Sequence, residues 1–292
     1  MRPKLKNLFN RSASIVFGTP GASTLEVSGL RISFDITKTR SSESNKAKIE
    51  LTNLSEESRN KIKELDKKIT LSAGYLDGDG EEVIFVGDIS RINHSYPRPE
   101  VITKIEAGDG EKVLRETVLA LSYAEGFTIK EVLQDILSKI DVAEKTNITE
   151  LQFTDKELSK GYSFADPFKN ALDSLCDSVG LEWSFQNGQL KIQPIDSADF
   201  SRAIVLSSDS GLIDSPEELQ EAGSSMDLGN KTPGWMLRAL LQPTAEPGGV
   251  VSVSSREIAE GSKFKIDEVQ HVGDTWGESF ETKLKVFEQG EK

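Results

Sequence analysis

The stretch KFKIDEVQHVGDTW, Lys263 to Trp276, begins as an alternating strand and then changes phase: its apolar positions Phe264, Ile266, Val269, Val272 and Trp276 are spaced by two, three, three and four. Successive side chains of a pleated strand face opposite sides. A phase change inside one strand therefore predicts a β-bulge, where one extra residue turns every later side chain over. Shifting the chain by 180 residues places VIFVGDISRINHSY, Val83 to Tyr96, beneath it without a gap, with Ile84, Val86, Ile89, Ile92 and Tyr96 in the same spacing. Two bulged strands with one pattern predict two related domains.

The flanks carry the same order. After the first copy comes VITKIEAGD from Val101, and after the second, one residue out of step, SFETKLKVF, in which Phe280, Thr282, Leu284 and Val286 alternate. Before the first copy stand AKIELTNL from Ala47 and ITLSAGY from Ile69; before the second stand WMLRALLQP from Trp235 and VVSVSS from Val250. The expected order is strand, connection, strand, bulged strand, strand, twice over.

The middle of the chain has helical periods instead. Thr128 to Glu131 reads as a capping box, followed by Ile129, Val132, Leu133, Ile136, Leu137 and Ile140 on one helix face. A second helix is expected from about Asp166, with Pro167 in its first turn, an apolar face of Phe168, Ala171, Leu172, Leu175, Cys176 and Val179, and a stop at Gly180. LEWSFQNGQLKIQP then reads as a tight hairpin, because Asn187 and Gly188 tolerate the positive φ of a type I′ turn. The chain is thus expected to be mainly β with an α/β insertion: residues 1–111 a first β-domain, 112–195 a small α/β middle domain, 196–292 a second β-domain.

Composition narrows the function. Of 292 residues 36% are hydrophobic and 28% charged, which describes a globular chain with enough apolar surface for several cores. No apolar run approaches the length needed to cross a bilayer, so no membrane insertion is expected. The N-terminus MRPKLKNLFNR has no apolar segment behind its charges, which points to synthesis and folding in the cytoplasm. The 48 acidic residues outnumber the 35 basic ones, for a net charge of −13, which argues against a nucleic-acid binder that must displace counterions from phosphates.

Candidate chemistry is sparse. Cys176 lies on the apolar stripe of its helix, where a free cysteine acts as a small hydrophobe. His94 and His271 fall in separate copies, and no ligand spacing suggests a metal. DGDGEE, Asp77 to Glu82, lacks the distal glutamate of a calcium loop and falls where a hairpin turn is required. No catalytic, cofactor-binding or metal residue is assigned and no cofactor is expected.

Taken in order, GLRISFDITKT, AKIELTNLSEESR, LSAGY, IFVGDI and AGDGE, then NALDSLCDSVGLEWSFQNGQLKI, LSSDSGLIDSPEE and LLQPTAEPGGVVSV, resemble the baseplate hub proteins of contractile-tailed bacteriophages, the group that includes late control protein D. That resemblance implies two tail-tube-like β-barrel domains related by an internal repeat, and a homotrimeric ring adapting a six-fold tail tube to a three-fold central spike. It also implies a place in the virion, at the tail baseplate, with assembly in the host bacterial cytoplasm. The expected partners are the spike protein, a tail tube or tube-initiator protein, and baseplate wedge and tape-measure proteins, with DNA passing through without specific binding. Because Lys292 follows soon after the last expected strand, no fused wall-degrading domain is expected, and the chain reads as an adaptor and not an enzyme. A hub-associated peptidoglycan hydrolase or a carbohydrate-binding tail adhesin are the alternatives. Aromatic residues at 7%, mostly in core phases, speak against the adhesin.

Overall fold

The computed structural model describes residues 9–142, 144–219 and 233–288. The N-terminal part contains β1 (Arg11–Phe17), β2 (Leu25–Ser28), β3 (Ile32–Thr39), β4 (Lys46–Thr52), α1 (Glu56–Glu64), β5 (Lys68–Tyr75), β6 (Gly80–Ser95) and β7 (Ile102–Gly108). The middle contains α2 (Glu111–Glu116), β8 (Val118–Tyr123), α3 (Ile129–Lys139), β9 (Glu144–Lys145), β10 (Tyr162–Pro167), α4 (Phe168–Ser178), β11 (Leu181–Gln186) and β12 (Gln189–Pro194). The C-terminal part contains β13 (Asp199–Leu206), β14 (Leu212–Leu219), β15 (Gly234–Leu240), β16 (Gly249–Val253), β17 (Ser262–Asp274) and β18 (Phe280–Glu288).

The expected repeat is present as one strand order used twice. β3-β4-β7-β6-β5 in the N-terminal part matches β14-β15-β18-β17-β16 in the C-terminal part. Both long strands are bulged. Ile89 pairs with Ala107 and Arg91 with Glu106, leaving Ser90 extra; Ile266 pairs with Val286 and Glu268 with Lys285, leaving Asp267 extra.

The bulges correct the shift between the copies. Ile89 corresponds to Ile266 and Ile92 to Val269, an offset of 177 and not 180. The apolar spacing misleads here for a physical reason: each strand has two consecutive steps of three, so either superposes on the other after sliding by three residues. The following strands keep the predicted pairing, Thr103 with Thr282 and Ile105 with Leu284, but against the corrected bulged strands their step is two residues and not one.

Three apolar clusters fill the molecule. Ile15, Phe17, Ile36, Ile49, Leu71 and Phe85 belong to the first, Leu133, Phe168, Leu172, Trp183 and Phe185 to the second, and Leu206, Leu237, Val251, Val269 and Leu284 to the third. The predicted capping box closes α3, with Thr128 accepting from the Glu131 N–H and Glu131 accepting from the Thr128 N–H. α4 begins at Phe168, two residues later than expected: Pro167 is its N-cap, and Asp166 lies in β10, paired with Leu119. β11 and β12 form the predicted hairpin, with Asn187 at φ 55° and Gly188 at φ 81°.

Candidate functional site

The two copies meet through a strand. Up to Lys265, β17 pairs with β16; beyond the bulge, Glu268 to Asp274 pair antiparallel with Thr39 to Ser33 of β3. Both partners lie on the side of β17 away from β18, so Asp267 marks the point where the strand exchanges one neighbour for another. The change of apolar phase is the sequence trace of that exchange. The carbonyl of Asp267 accepts from the Arg40 N–H at 3.3 Å, closing the end of β3 onto the bulge.

The middle unit is bolted across this joint by charged and amide groups. Arg40 and Glu182, both almost wholly buried, form a salt bridge, with Arg40 Nε donating to Glu182 Oε1 at 3.0 Å. Lys265 Nζ donates to the same oxygen at 3.2 Å and to the Ile195 carbonyl at 2.7 Å, and Gln193 Nε2 donates to Glu182 Oε1 at 2.6 Å. Asp267 lies 3.6 Å from Arg40. Burial pulls the Lys265 ammonium down to about 8, with the nearby Arg40 charge adding to the effect.

The hairpin tip forms the second half of the bolt. Lys38 Nζ donates to Asn187 Oδ1 at 2.7 Å, Asn187 Nδ2 donates to Glu246 Oε1 at 2.9 Å, and the Gly188 N–H donates to Asp109 Oδ1 at 2.9 Å. Asn187 therefore bridges β3 of one copy to the loop after β15 of the other. Beside it, Asn45 Nδ2 donates to the Phe185 carbonyl at 2.6 Å and Gln186 Nε2 to the Thr39 carbonyl at 2.8 Å. Burial lowers the pKa of Lys38 and raises that of Asp109, while Glu246 pulls Lys38 back up and the Gly188 N–H pulls Asp109 back down. Such a buried, hydrogen-bonded ionic cluster adds little net stability, but removing one member leaves a charge without compensation. Through these contacts the middle unit is tied to both copies at once.

The residues singled out in the sequence lie elsewhere. Cys176 is buried in the second cluster with its thiol pushed up to about 12 by burial. His94 and His271 are equivalent positions of the repeat, separated in space. Leu76 to Asp79 form the turn between β5 and β6, as DGDGEE predicted, and Glu81 accepts from Ser12 and Ser14. The basic tip Met1–Leu8 lies outside the described residues. Among the described residues no group of three or more His, Cys, Asp or Glu side chains is placed to hold a metal, and no helix is long and apolar enough to cross a membrane. Sequence reasoning missed the bolt. Lys38 left a readable trace, since it continues the buried phase of Ile32, Phe34 and Ile36; Arg40, Glu182 and Asp267 left none.

Several solved structures share this fold. The fold is similar to that of the Escherichia coli c3393 protein, a type VI secretion component described as resembling the T4 tail proteins gp27 and gp5 (TM-score 0.65, 12% identity, 89% of this chain and 74% of that one). It is similar also to a 43 kDa tail protein of prophage MuSo2 from Shewanella oneidensis (TM-score 0.62, 11% identity, 95% and 98% covered) and to a tail protein of Neisseria meningitidis MC58 (TM-score 0.63, 12% identity, 97% and 98% covered). No curated protein sequence matches the chain. The family model for baseplate hub gp41 matches residues 13–228, well over half the chain, and the protein belongs to that family. It is a hub component of a phage tail baseplate.

Proposed function

We propose that this hub is a homotrimeric ring that adapts a six-fold tail tube to a three-fold central spike and encloses the path of the DNA. The observation that carries the reading is the repeat: two copies of one β-motif, joined edge to edge by β17 and β3, supply two tube-like positions per chain and six from three chains. The boundaries 1–111, 112–195 and 196–292 mark its two tube-like units and the middle unit that braces them. The spike, the tail tube or its initiator, wedge and tape-measure proteins are its partners, after assembly in the host cytoplasm. The role is mechanical, without catalysis; the buried ionic cluster that ties the middle unit to both copies supports a part as a rigid adaptor.

Mass in solution tests this directly. Light scattering at micromolar concentration should give three times the 32.1 kDa chain mass, and images of the particle should show a ring with a central opening. A stable monomer, alone and with the spike, overturns the ring. With a net charge of −13 the lumen is expected to repel phosphate over a Debye length of roughly 8 Å, so DNA passes without being held. Salt-sensitive DNA retardation that survives deletion of residues 1–11 overturns that part alone.

A further inference from the structure

Lys38 is an unusual structural cation. It is wholly buried, two residues beyond Ile36 on β3, and its backbone is fixed opposite Val269 of β17. A buried ammonium is normally compensated by a carboxylate. The hydrogen-bond partner here is instead the neutral side-chain amide of Asn187, whose Oδ1 accepts from Lys38 Nζ at 2.7 Å. The amide carbon Cγ is one bond further on. Burial lowers the pKa of Lys38, so more of it is the free amine near neutral pH than in an exposed lysine, and a free amine is a nucleophile.

The groups around that amide fit the exchange of one amine for another. Asn187 Nδ2 donates to Glu246 Oε1 at 2.9 Å, and Lys191 Nζ holds Glu246 Oε2 at 2.7 Å. A cation on one side and a carboxylate on the other fix which end of the amide is oxygen and which is nitrogen. Glu246 therefore touches the nitrogen that would leave. Asp109 is 0% exposed; its Oδ1 accepts the Gly188 N–H, while its Oδ2 has no hydrogen-bond partner among the described residues. Burial raises the pKa of Asp109, and the Lys38 charge reaches it. The contact with Gly188 has a second effect. In an Asn-Gly pair the following backbone nitrogen is the usual attacker of the side-chain amide, and Asp109 engages that nitrogen through its N–H. Beside Glu246 a cleft of about 20 Å³, lined also by Lys191, Arg202 and Thr244, has room for one molecule the size of ammonia.

We infer that Lys38 Nζ and Asn187 Cγ join in the folded chain as an intramolecular isopeptide bond, with loss of ammonia. Lys38 gives up a proton, for which Asp109 Oδ2 is the open acceptor, and as the amine attacks Asn187 Cγ, the C=O electron pair moving onto Oδ1. Glu246 takes a proton from the attacking nitrogen and passes one to Nδ2; the electron pair returns from Oδ1, the Cγ–Nδ2 bond breaks, and the departing ammonia takes the proton held by Asp109. An ammonium group and a primary amide go in, a secondary amide and an ammonium ion come out, and no oxidant or other reactant is needed. The nucleophile comes from β3 of the first copy, the amide from the β11–β12 turn of the middle unit, and the proton carrier from the loop after β15 of the second copy. The bond therefore forms only once all three units have packed. It spans 149 positions and makes one contact of the bolt covalent. It belongs to a single chain and does not rest on the ring proposed above.

The test is the intact mass of the purified, folded full chain, followed by a tryptic digest. The wild type should be lighter than its sequence by one ammonia, and the digest should contain a branched peptide joining the segments of Lys38 and Asn187, uncut after Lys38. Lys38→Met, which removes the nucleophile, should keep the full mass of its sequence. Glu246→Gln, at a partly exposed position, keeps an acceptor for Asn187 Nδ2 but cannot carry the proton, so it should fold and link about a hundredfold more slowly. A folded wild-type chain at its full sequence mass overturns the inference. So does ammonia lost within the Asn187 peptide alone, which is cyclisation onto Gly188, and so does water lost in a link from Lys38 to Asp109 or Glu246. A link that forms as fast in Glu246→Gln overturns the part given to that carboxylate.

Discussion

His94 and His271 occupy the same place in two copies of one motif. His94 Nδ1 is hydrogen-bonded to Thr103 Oγ1 at 3.0 Å, and His271 Nδ1 to Thr282 Oγ1 at 2.9 Å, each across the strand pair that follows its bulge. Their surroundings differ because β3 covers one, whereas no described strand covers the other. Burial, helped by the Lys38 charge, holds His271 down to about 3. His94 is lowered too, by partial burial and by Arg59 and Lys63.

The buried histidine sets a pH dependence. Below about 6.5 the unfolded chain protonates this position while the folded chain stays neutral until about 3, so its contribution to stability is lost as pH falls through that window. Asp109 works in the opposite direction, since its raised pKa lets the folded chain take up a proton first, and it does so with or without the histidine. His271→Gln should therefore cost about 1–3 kcal/mol at pH 7, a penalty shrinking by ~1.4 kcal/mol per pH unit below about pH 6. Urea titrations of both proteins at several pH values measure it; a penalty constant with pH refutes it.

Removing the carboxylate of Glu182 should destabilise the chain strongly. Arg40 and Lys265 both lean on it in the interior, and Glu182→Ala leaves two buried cations short of a partner, at a cost of about 3–5 kcal/mol. Glu116→Ala, which breaks an exposed ion pair with Arg115, should leave the urea midpoint unchanged. Equal effects of the two substitutions would remove the bolt from the account.

Gly273 faces Phe34 across the β17–β3 joint, and a Cβ there would lie 2.2 Å from Phe34 Cζ. Gly273→Ala must displace that ring, which also packs edge-on against Phe280 at 5.8 Å. A loss of about 1–3 kcal/mol is expected, with amide-exchange protection falling first along Phe34 to Thr39 and Glu268 to Asp274. Unchanged exchange in those two strands would show that the joint tolerates the methyl group.

Cys176 should be inert in the folded protein. It is 1% exposed and its thiol is pushed up to about 12, so a thiol reagent at pH 8 should titrate no cysteine before denaturant is added and one afterwards. Rapid labelling of the native chain would place the residue at the surface.

Local rules made several elements legible. The capping box of Thr128 and Glu131, the Asn187–Gly188 turn and the alternating strands from Ala47, Ile69, Trp235 and Val250 each depend on neighbours in sequence, and the structure forms them where the pattern lies. The bulges were legible as a change of phase, because a pleated strand records every inserted residue in its side-chain pattern. Their alignment was not, since steps of three superpose on themselves and only the partner strand distinguishes Ile89 from Val86 as the counterpart of Ile266. β8 and β10 went unread although Leu119, Leu121 and Tyr123, and Tyr162 and Phe164, alternate with period two: both strands are short, and each depends on the other, some forty residues away, for its hydrogen bonds. The pairing of β17 with β3 and the meeting of Arg40 with Glu182 join residues more than a hundred positions apart, and charged residues carry no signal of burial until the fold encloses them. Sequence alone determined the repeated strands, the two longer helices, the hairpin after them and the existence of two copies. Tertiary structure decided how the copies join, which histidine is covered, and which strand edge is left open.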